Sequence, residues 1–187
     1  MKLLNTIAVC LFFSLIIMSC GDDDPMDDPA VKGLDGEWKV TSLTVDLTST
    51  ISAVGINLST TSVGNGKDLD YTLNLDNGNF TTMGSYGLEL STTTSSDPIP
   101  NVVSQSYTDV SGSGTYTNTD DEITVNGQLF DFEVDGVSFT QMTGPATASY
   151  TVDGDVLTVT QDEEMTTSTL GVESIVQMKS ESVWARQ

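Results

Sequence analysis

The pattern of apolar and polar residues changes at about Gly33. From there to the end of the chain, Val, Leu, Tyr and Phe alternate with Thr, Ser and charged residues in short runs separated by Gly, Asn and Asp. A period of two places alternate side chains on opposite faces of a strand, and no long window shows the period of an amphipathic helix. The pattern predicts an all-β domain over residues 33–187.

The run YTLNLDNGNFTTM shows how the hairpins can be assigned. It contains Asn77-Gly78, a dipeptide typical of two-residue hairpin turns. With this turn, Leu75 lies opposite Phe80, and Leu73 lies opposite Thr82. The apolar side chains then share one face and the polar ones the other, which is expected only when the register is assigned correctly.

Two more hairpins are predicted in the same way, with turns at Asp135-Gly136 and Asp153-Gly154. Each gives one apolar and one polar face. The opposing pairs predicted from them are Val134 with Val137, Phe132 with Phe139, Phe130 with Gln141, Tyr150 with Leu157, and Ala148 with Val159. Further strands are predicted at 34–47, 85–91, 105–117, 122–126 and 173–185.

About nine or ten antiparallel strands, most of them joined to their sequence neighbours, are too many for one flat open sheet. Closing the sheet into an up-and-down β-barrel removes the exposed edges, and the tight hairpins favour this architecture. A β-sandwich is the alternative, because alternation alone does not distinguish the two. Residues 49–66 and 91–104 fit no strand pattern and are predicted as long connections at the barrel rim, either solvated loops or a lid.

The composition limits the chemistry that the domain can perform. The chain has 27 acidic and 6 basic residues and a net charge of -21, so nucleic acid is excluded as a partner. Histidine is absent and both cysteines lie in the first 20 residues, which leaves the domain without imidazole or thiol. We therefore expect no enzyme, no metal site and no cofactor.

Three short acidic clusters need a separate interpretation. Asp120-Asp121-Glu122 and Asp162-Glu163-Glu164 lie where turns are expected, and Asp68-Leu69-Asp70 lacks the remaining ligands of a calcium loop. Solvated acids that keep the protein soluble are the simpler interpretation. A weak calcium site is the alternative.

The N-terminal region predicts export and a lipid anchor. Residues 2–18 are an almost continuous apolar stretch after one lysine, about 24 Å long as a helix, which is short for a membrane span and typical of a signal peptide. The sequence Ile17-Met18-Ser19-Cys20 resembles the lipobox of bacterial lipoproteins, which implies cleavage after residue 19 and acylation of Cys20. Acylation would attach the protein to a membrane. An ordinary signal peptide or a tail-like anchor is the alternative.

Residues 20–32 are then expected to form a tether. Five aspartates and two prolines between residues 22 and 29 oppose folding. Acids just after the cysteine also resemble the surface-export signals of lipoproteins from Bacteroidetes, although a solvated linker fits equally well. The predicted organisation is a signal peptide at 1–19, a tether at 20–32 and a domain at 33–187, in a protein anchored in the cell envelope at the outer membrane.

A short motif at the start of the domain resembles a known family. Gly36 and Trp38, preceded by Leu34, resemble the opening Gly-x-Trp motif of lipocalins and of the lipocalin-like lipoproteins of Bacteroidetes. The resemblance implies a barrel closed at one end by Trp38, with Gly36 letting the chain cross closely beneath it. It also implies an arginine packed on this tryptophan from near the last strand, for which Arg186 is the candidate.

Lipocalins typically bind small hydrophobic molecules inside the barrel, and the resemblance implies such a site here. The candidate lining residues are Tyr71, Leu73, Phe80, Tyr86, Leu88, Tyr116, Phe130, Phe132 and Phe139. The same side chains could simply fill the barrel. The leading expectation is a lipid-anchored carrier of a small hydrophobic molecule. The alternative is a non-enzymatic surface protein that displays its rim loops to a protein or glycan.

Overall fold

The computed structural model describes residues 33–53, 56–130, 133–134, 137–138, 145–169 and 172–187, and every regular element within them is a β-strand. The strands are β1 (Gly36–Ala53), β2 (Ile56–Asp76), β3 (Asn79–Thr94), β4 (Asp97–Asn118), β5 (Glu122–Asn126), β6 (Glu133–Val134), β7 (Val137–Ser138), β8 (Ala146–Asp153), β9 (Val156–Thr169) and β10 (Val172–Arg186). The all-β prediction is confirmed. Across these ranges, no helix is long and apolar enough to span a membrane. The predicted signal peptide, the tether and Cys20 lie outside the described residues.

Eight of the strands form a closed ring in the order β1-β10-β9-β8-β5-β4-β3-β2. Every neighbouring pair is antiparallel, including the first strand with the last. The β6–β7 ladder lies between β5 and β8 in sequence and pairs only with itself among the described strands. The fold is therefore the predicted up-and-down barrel and not the alternative sandwich.

The hairpin at Asn77 and Gly78 has the predicted register. Both residues have positive φ, 48° and 79°, as a type I′ turn requires. Leu75 lies opposite Phe80, and the neighbouring predicted pair, Leu73 with Thr82, is also present. The dipeptide alone was enough to fix this hairpin, because few other residues tolerate two successive positive φ angles.

The turn between β8 and β9 lies one residue later than predicted. It is formed by Gly154 and Asp155, and only the first of these has positive φ, 59°, as in a type II′ turn. Tyr150 consequently lies opposite Val159 and not opposite Leu157. The partner changes by two positions, so each side chain stays on its predicted face.

The β6–β7 ladder continues the register of β5–β8. Val134 lies opposite Val137, as predicted from the turn at Asp135-Gly136. In the β5–β8 ladder, Val125 lies opposite Ala146. Val125 precedes Val134 by nine residues and Ala146 follows Val137 by nine. The two ladders thus share one antiparallel register. The other predicted partners in this hairpin, Phe132, Phe139 and Gln141, lie outside the described residues.

Most of the two segments predicted as rim loops lies in strands, so that prediction is wrong. Residues 49–53 belong to β1, 56–66 to β2, 91–94 to β3 and 97–104 to β4. Threonine, valine and isoleucine favour extended backbone, which outweighs the small and polar character of these segments. At Pro98 and Pro100, β4 pairs with β3 alone among the described residues. A proline has no N–H to donate, and a strand that pairs on one side only tolerates this loss.

The strands run between two different ends of the barrel. The end here called the entry end holds Gly33, where the described chain begins, the short turns of the β2–β3, β4–β5 and β8–β9 connections, and the C-terminus. The opposite end, here called the hairpin end, holds the tips of the β1–β2, β3–β4 and β9–β10 hairpins. The described chain therefore enters and leaves at the same end.

Among the described strands, the ring is complete only near the entry end. Strands β4 and β5 pair over four residues, from Thr115 to Asn118 of β4, and β5 and β8 pair over four as well. Towards the hairpin end, six strands continue as a curved sheet from β9 through β10, β1, β2 and β3 to β4. Its two outermost strands have no second partner strand there among the described residues.

Gly84 provides a test of the sheet geometry. It has a φ of 127°, and a Cβ there would collide with the backbone carbonyl of Asp70. Gly154 also has positive φ, but a Cβ there would meet nothing within 4 Å. We expect both glycine-to-alanine variants to lose about 1–2 kcal/mol from the unfavourable φ. Gly84→Ala should lose a further ~1–3 kcal/mol from the collision. Urea unfolding measures both losses, and equal losses would contradict the geometry.

Candidate functional site in the barrel interior

Trp38 lies near the entry end of the barrel, opposite Arg186 in the β1–β10 ladder. Its ring is completely buried, and its Nε1 donates a hydrogen bond of 2.8 Å to the carbonyl of Leu34. The guanidinium of Arg186 lies over this ring, with Cζ 4.1 Å from the centroid. The tryptophan–arginine pair expected from the lipocalin resemblance is therefore present.

Gly36 has a different use from the one expected. Its φ is 136°, and a Cβ on it would lie 2.6 Å from Nη1 of Arg186. Because Gly36 has no side chain, the guanidinium has room to lie beside it. The resemblance implies only a close crossing of the backbone at this position. The guanidinium donates to the carbonyls of Asp35 at 2.6 Å and Gly33 at 2.8 Å. These bonds connect the end of β10 to the chain just before β1.

A second contact at the entry end joins Tyr116 to Asp35. The tyrosine hydroxyl donates a hydrogen bond of 2.8 Å to the carboxylate, which also accepts the backbone N–H of Asn77 at 3.1 Å. Burial, reinforced by the hydrogen bond to Asp35, raises the pKa of Tyr116 well above its usual range. The hydroxyl thus stays protonated and acts as a fixed hydrogen-bond donor to Asp35.

An aromatic cluster occupies the middle of the barrel. Phe130 packs between Tyr71, Tyr86 and Trp184, with ring centroids 5.4, 5.5 and 5.4 Å away. Tyr71 and Tyr86 also meet edge to face at 5.0 Å. Such offset and edge contacts add to the stability gained from burial. Apart from Phe130, which is partly exposed, these rings are at most 2% exposed.

Phe130 reaches this cluster from outside the sheet. The sequence predicts it in a strand, but residues 127–130 form no strand. They lie against β4 where glycines leave space: a Cβ on Gly112 would lie 3.0 Å from the carbonyl oxygen of Gln128, and one on Gly114 would collide with that of Asn126. The hydroxyl of Tyr71 holds the segment by donating to the carbonyl of Leu129 at 2.9 Å. The close spacing of these glycines is the signal that sequence reasoning missed.

Most of the predicted ligand-binding residues belong to the buried core. Six of them are at most 3% exposed, namely Tyr71, Leu73, Phe80, Tyr86, Leu88 and Tyr116. Tyr116 belongs to the entry end, whereas Tyr71, Tyr86 and Phe130 form the central cluster. Phe132 and Phe139 lie outside the described residues. Most of the set therefore packs against itself.

A small cavity of about 100 Å³ lies beside the segment at 127–130. Its wall combines apolar and polar side chains, among them Leu43, Val159, Met178, Gln161 and Ser182. Gln128 also lines it, and the buried Nε2 of this residue has no hydrogen-bond partner among the described residues. Ligand pockets for drug-sized molecules usually measure about 300–1,000 Å³. This cavity has the size and polarity to hold a few water molecules.

Each of the four cations among the described residues lies within 4.0 Å of a carboxylate. No group of three acidic, histidine or cysteine side chains is placed to hold a metal ion in the part of the chain that is described. The predicted turn at Asp162-Glu163-Glu164 is wrong: these residues lie in β9, where Asp162 pairs with Lys179 at 2.8 Å. Asp70 pairs with Lys39 at 2.8 Å, and the hydrogen bond from this ammonium lowers the pKa of the carboxyl.

Comparison with known proteins adds no relative. No family model matches the chain, and neither a curated protein nor a solved structure is significantly similar to it. Any proposal about the function of this protein therefore rests on its sequence and on the geometry of the barrel.

We expect Arg186→Gln to destabilise the barrel. The variant loses a cation over Trp38 and two charged hydrogen bonds, which together contribute about 2 kcal/mol. Lys179→Gln is the matched control, because it removes the same charge from an exposed ion pair and should leave the free energy of unfolding nearly unchanged. Urea unfolding of both variants checks this. Similar losses would mean that net charge, and not the contact with Trp38, sets the effect.

Proposed function

We propose that this protein is a lipid-anchored lipoprotein of the cell envelope with a lipocalin-like barrel, and that it acts through its outer surface and not through its interior. It is not an enzyme, and it presents the hairpin end of the barrel to a partner. The observation behind this proposal is the filled interior, in which Phe130 occupies the space between Tyr71, Tyr86 and Trp184.

The size of the remaining space supports action at the surface. A fatty acid or a retinoid needs several times the volume of the cavity of about 100 Å³. To admit such a ligand, Phe130 would have to leave the aromatic cluster and expose its neighbours. The second candidate function is therefore carriage of a small hydrophobic molecule. The apolar part of the cavity wall is the observation that favours it.

The direction of the chain supports an anchor at the entry end. The described domain begins there at Gly33, and Cys20 lies 13 residues earlier. Thirteen residues span at most about 45 Å when fully extended. An acyl group on Cys20 would thus keep the entry end near the membrane and leave the hairpin end directed away from it. We place the protein at the outer membrane, with the hairpin end of the barrel accessible from outside.

The composition supports the absence of catalysis and of nucleic-acid binding. Residues 33–187 contain neither histidine nor cysteine. The four described cations, Lys39, Lys67, Lys179 and Arg186, are each within 4 Å of a carboxylate. No unpaired cation in this part of the chain is therefore available to bind phosphates.

A ligand panel tests the filled interior. We expect fatty acids and retinoids to leave the tryptophan fluorescence of the protein unchanged, because Trp184 is already packed against Phe130. In contrast, Phe130→Ala should open a cavity and gain a fluorescence response to a small aromatic probe such as indole. Saturable quenching of the unsubstituted protein by a fatty acid would favour the carrier instead.

The anchor has its own test. We expect Cys20→Ala to abolish the incorporation of labelled palmitate and to release the protein from the membrane fraction, because the acylated sulfur is the attachment point. Cys10→Ala is the matched control, since it removes the other cysteine of the chain and should leave labelling intact. Labelling that survives in Cys20→Ala would contradict the proposed anchor.

A further inference from the structure

Two strand edges towards the hairpin end pair on one side only among the described residues. The first belongs to β4, which pairs with β3 but reaches β5 only from Thr115 onward. The second belongs to β9, which pairs with β10 but reaches β8 only up to Thr160. An edge of this kind offers backbone N–H and C=O groups to another strand.

The two edges differ in charge. The β9 edge contains Asp162, Glu163 and Glu164, and consecutive charges are a common protection against edge-to-edge pairing. The β4 edge contains no charged residue from Pro98 to Thr108, in a chain whose net charge is -21. Only one of the two edges is therefore protected by charge.

The unprotected edge also exposes β-branched side chains. Ile99, Val102 and Val103 are 75%, 58% and 45% exposed. Pro98 and Pro100 cannot donate a backbone hydrogen bond, so they limit new pairing to the stretch after them. The segment suited to pairing is thus 101–106, with the sequence NVVSQS.

The chemistry of this segment restricts the partner. It has no basic residue to attract an anionic membrane and no aromatic ring for the membrane interface or for stacking on a sugar. It has no charge to complement an acidic or basic surface. The segment can therefore bind a partner through backbone hydrogen bonds and aliphatic contacts. Another uncharged strand edge supplies both.

A second copy of the chain brings an edge with these properties. Antiparallel pairing about a two-fold axis near Val103 joins two identical neutral segments, so both edges are satisfied at once. Charge opposes it only at the flanks of the paired segment, where Asp97 and Asp109 each lie six residues from the axis. Each entry end lies about 15 residues from the axis, so the two ends are roughly 100 Å apart. This separation far exceeds the Debye length of ~8 Å in physiological salt.

We propose that the β4 edge at 101–106 binds the same edge of a second copy in an antiparallel dimer, and that this dimer joins copies anchored in two facing membranes. The antiparallel arrangement places the two entry ends, and hence the two tethers, on opposite sides of the dimer. The link between facing membranes rests on the proposed lipid anchor, whereas the dimer itself does not.

The experiment uses acylated protein in detergent and on phosphatidylcholine vesicles. Val102→Lys places a charge on the edge and should weaken the dimer roughly tenfold or more. Val63→Lys is the matched control, because Val63 and Val102 both lie opposite Ser91, but Val63 belongs to β2, which has a partner on each side. Unchanged tryptophan fluorescence verifies that both variants fold.

We expect dimers by sedimentation and clustered vesicles by light scattering for the unsubstituted protein and for Val63→Lys, and loss of both for Val102→Lys. A monomer at all concentrations, or equal effects of the two variants, would overturn the proposal. Dimers in detergent without vesicle clustering, despite flotation of the protein with vesicles, would refute the antiparallel arrangement. Dimers that do not float with vesicles would instead refute the lipid anchor alone.

Discussion

The contact between Arg186 and Trp38 is the constraint on which the rest of the barrel depends. A ring of strands closes only when its first and last members pair, and the β1–β10 ladder begins with these two residues opposite each other. The guanidinium covers the buried indole and bonds the backbone just before β1. It thereby fastens the closing ladder at the end where the ring is complete.

Much of the fold could be predicted because turn residues determine register. Asn77 and Gly78 fix a hairpin, since both must adopt positive φ. The turn between β8 and β9 was less determined, because Gly154 can be either residue of a two-residue turn. Both choices keep every side chain on the same face, so periodicity does not distinguish them. Alternation thus predicts faces well and exact partners less well.

The long hairpins and the interior were harder to predict, for different reasons. Alternating threonine and serine carry little contrast in polarity, so the strands through 49–66 and 91–104 were indistinguishable from loops. Phe130 was correctly expected to face inward, but from a strand. Its position depends on the space left by Gly112 and Gly114, which only the three-dimensional packing reveals. The contact of Arg186 with Trp38 was suggested by a motif and not by periodicity.

The shared position of Gly33 and Gln187 has a practical consequence. Gln187 donates a backbone hydrogen bond of 2.9 Å to Glu37, so Gln187 lies beside the start of β1. A reporter fused after Gln187 would therefore lie at the entry end, whereas a peptide inserted between Thr94 and Asp97 would lie at the opposite end of the barrel. The same proximity makes residues 33–187 suited to circular permutation, with a short linker joining Gln187 to Gly33 and new ends opened between β3 and β4.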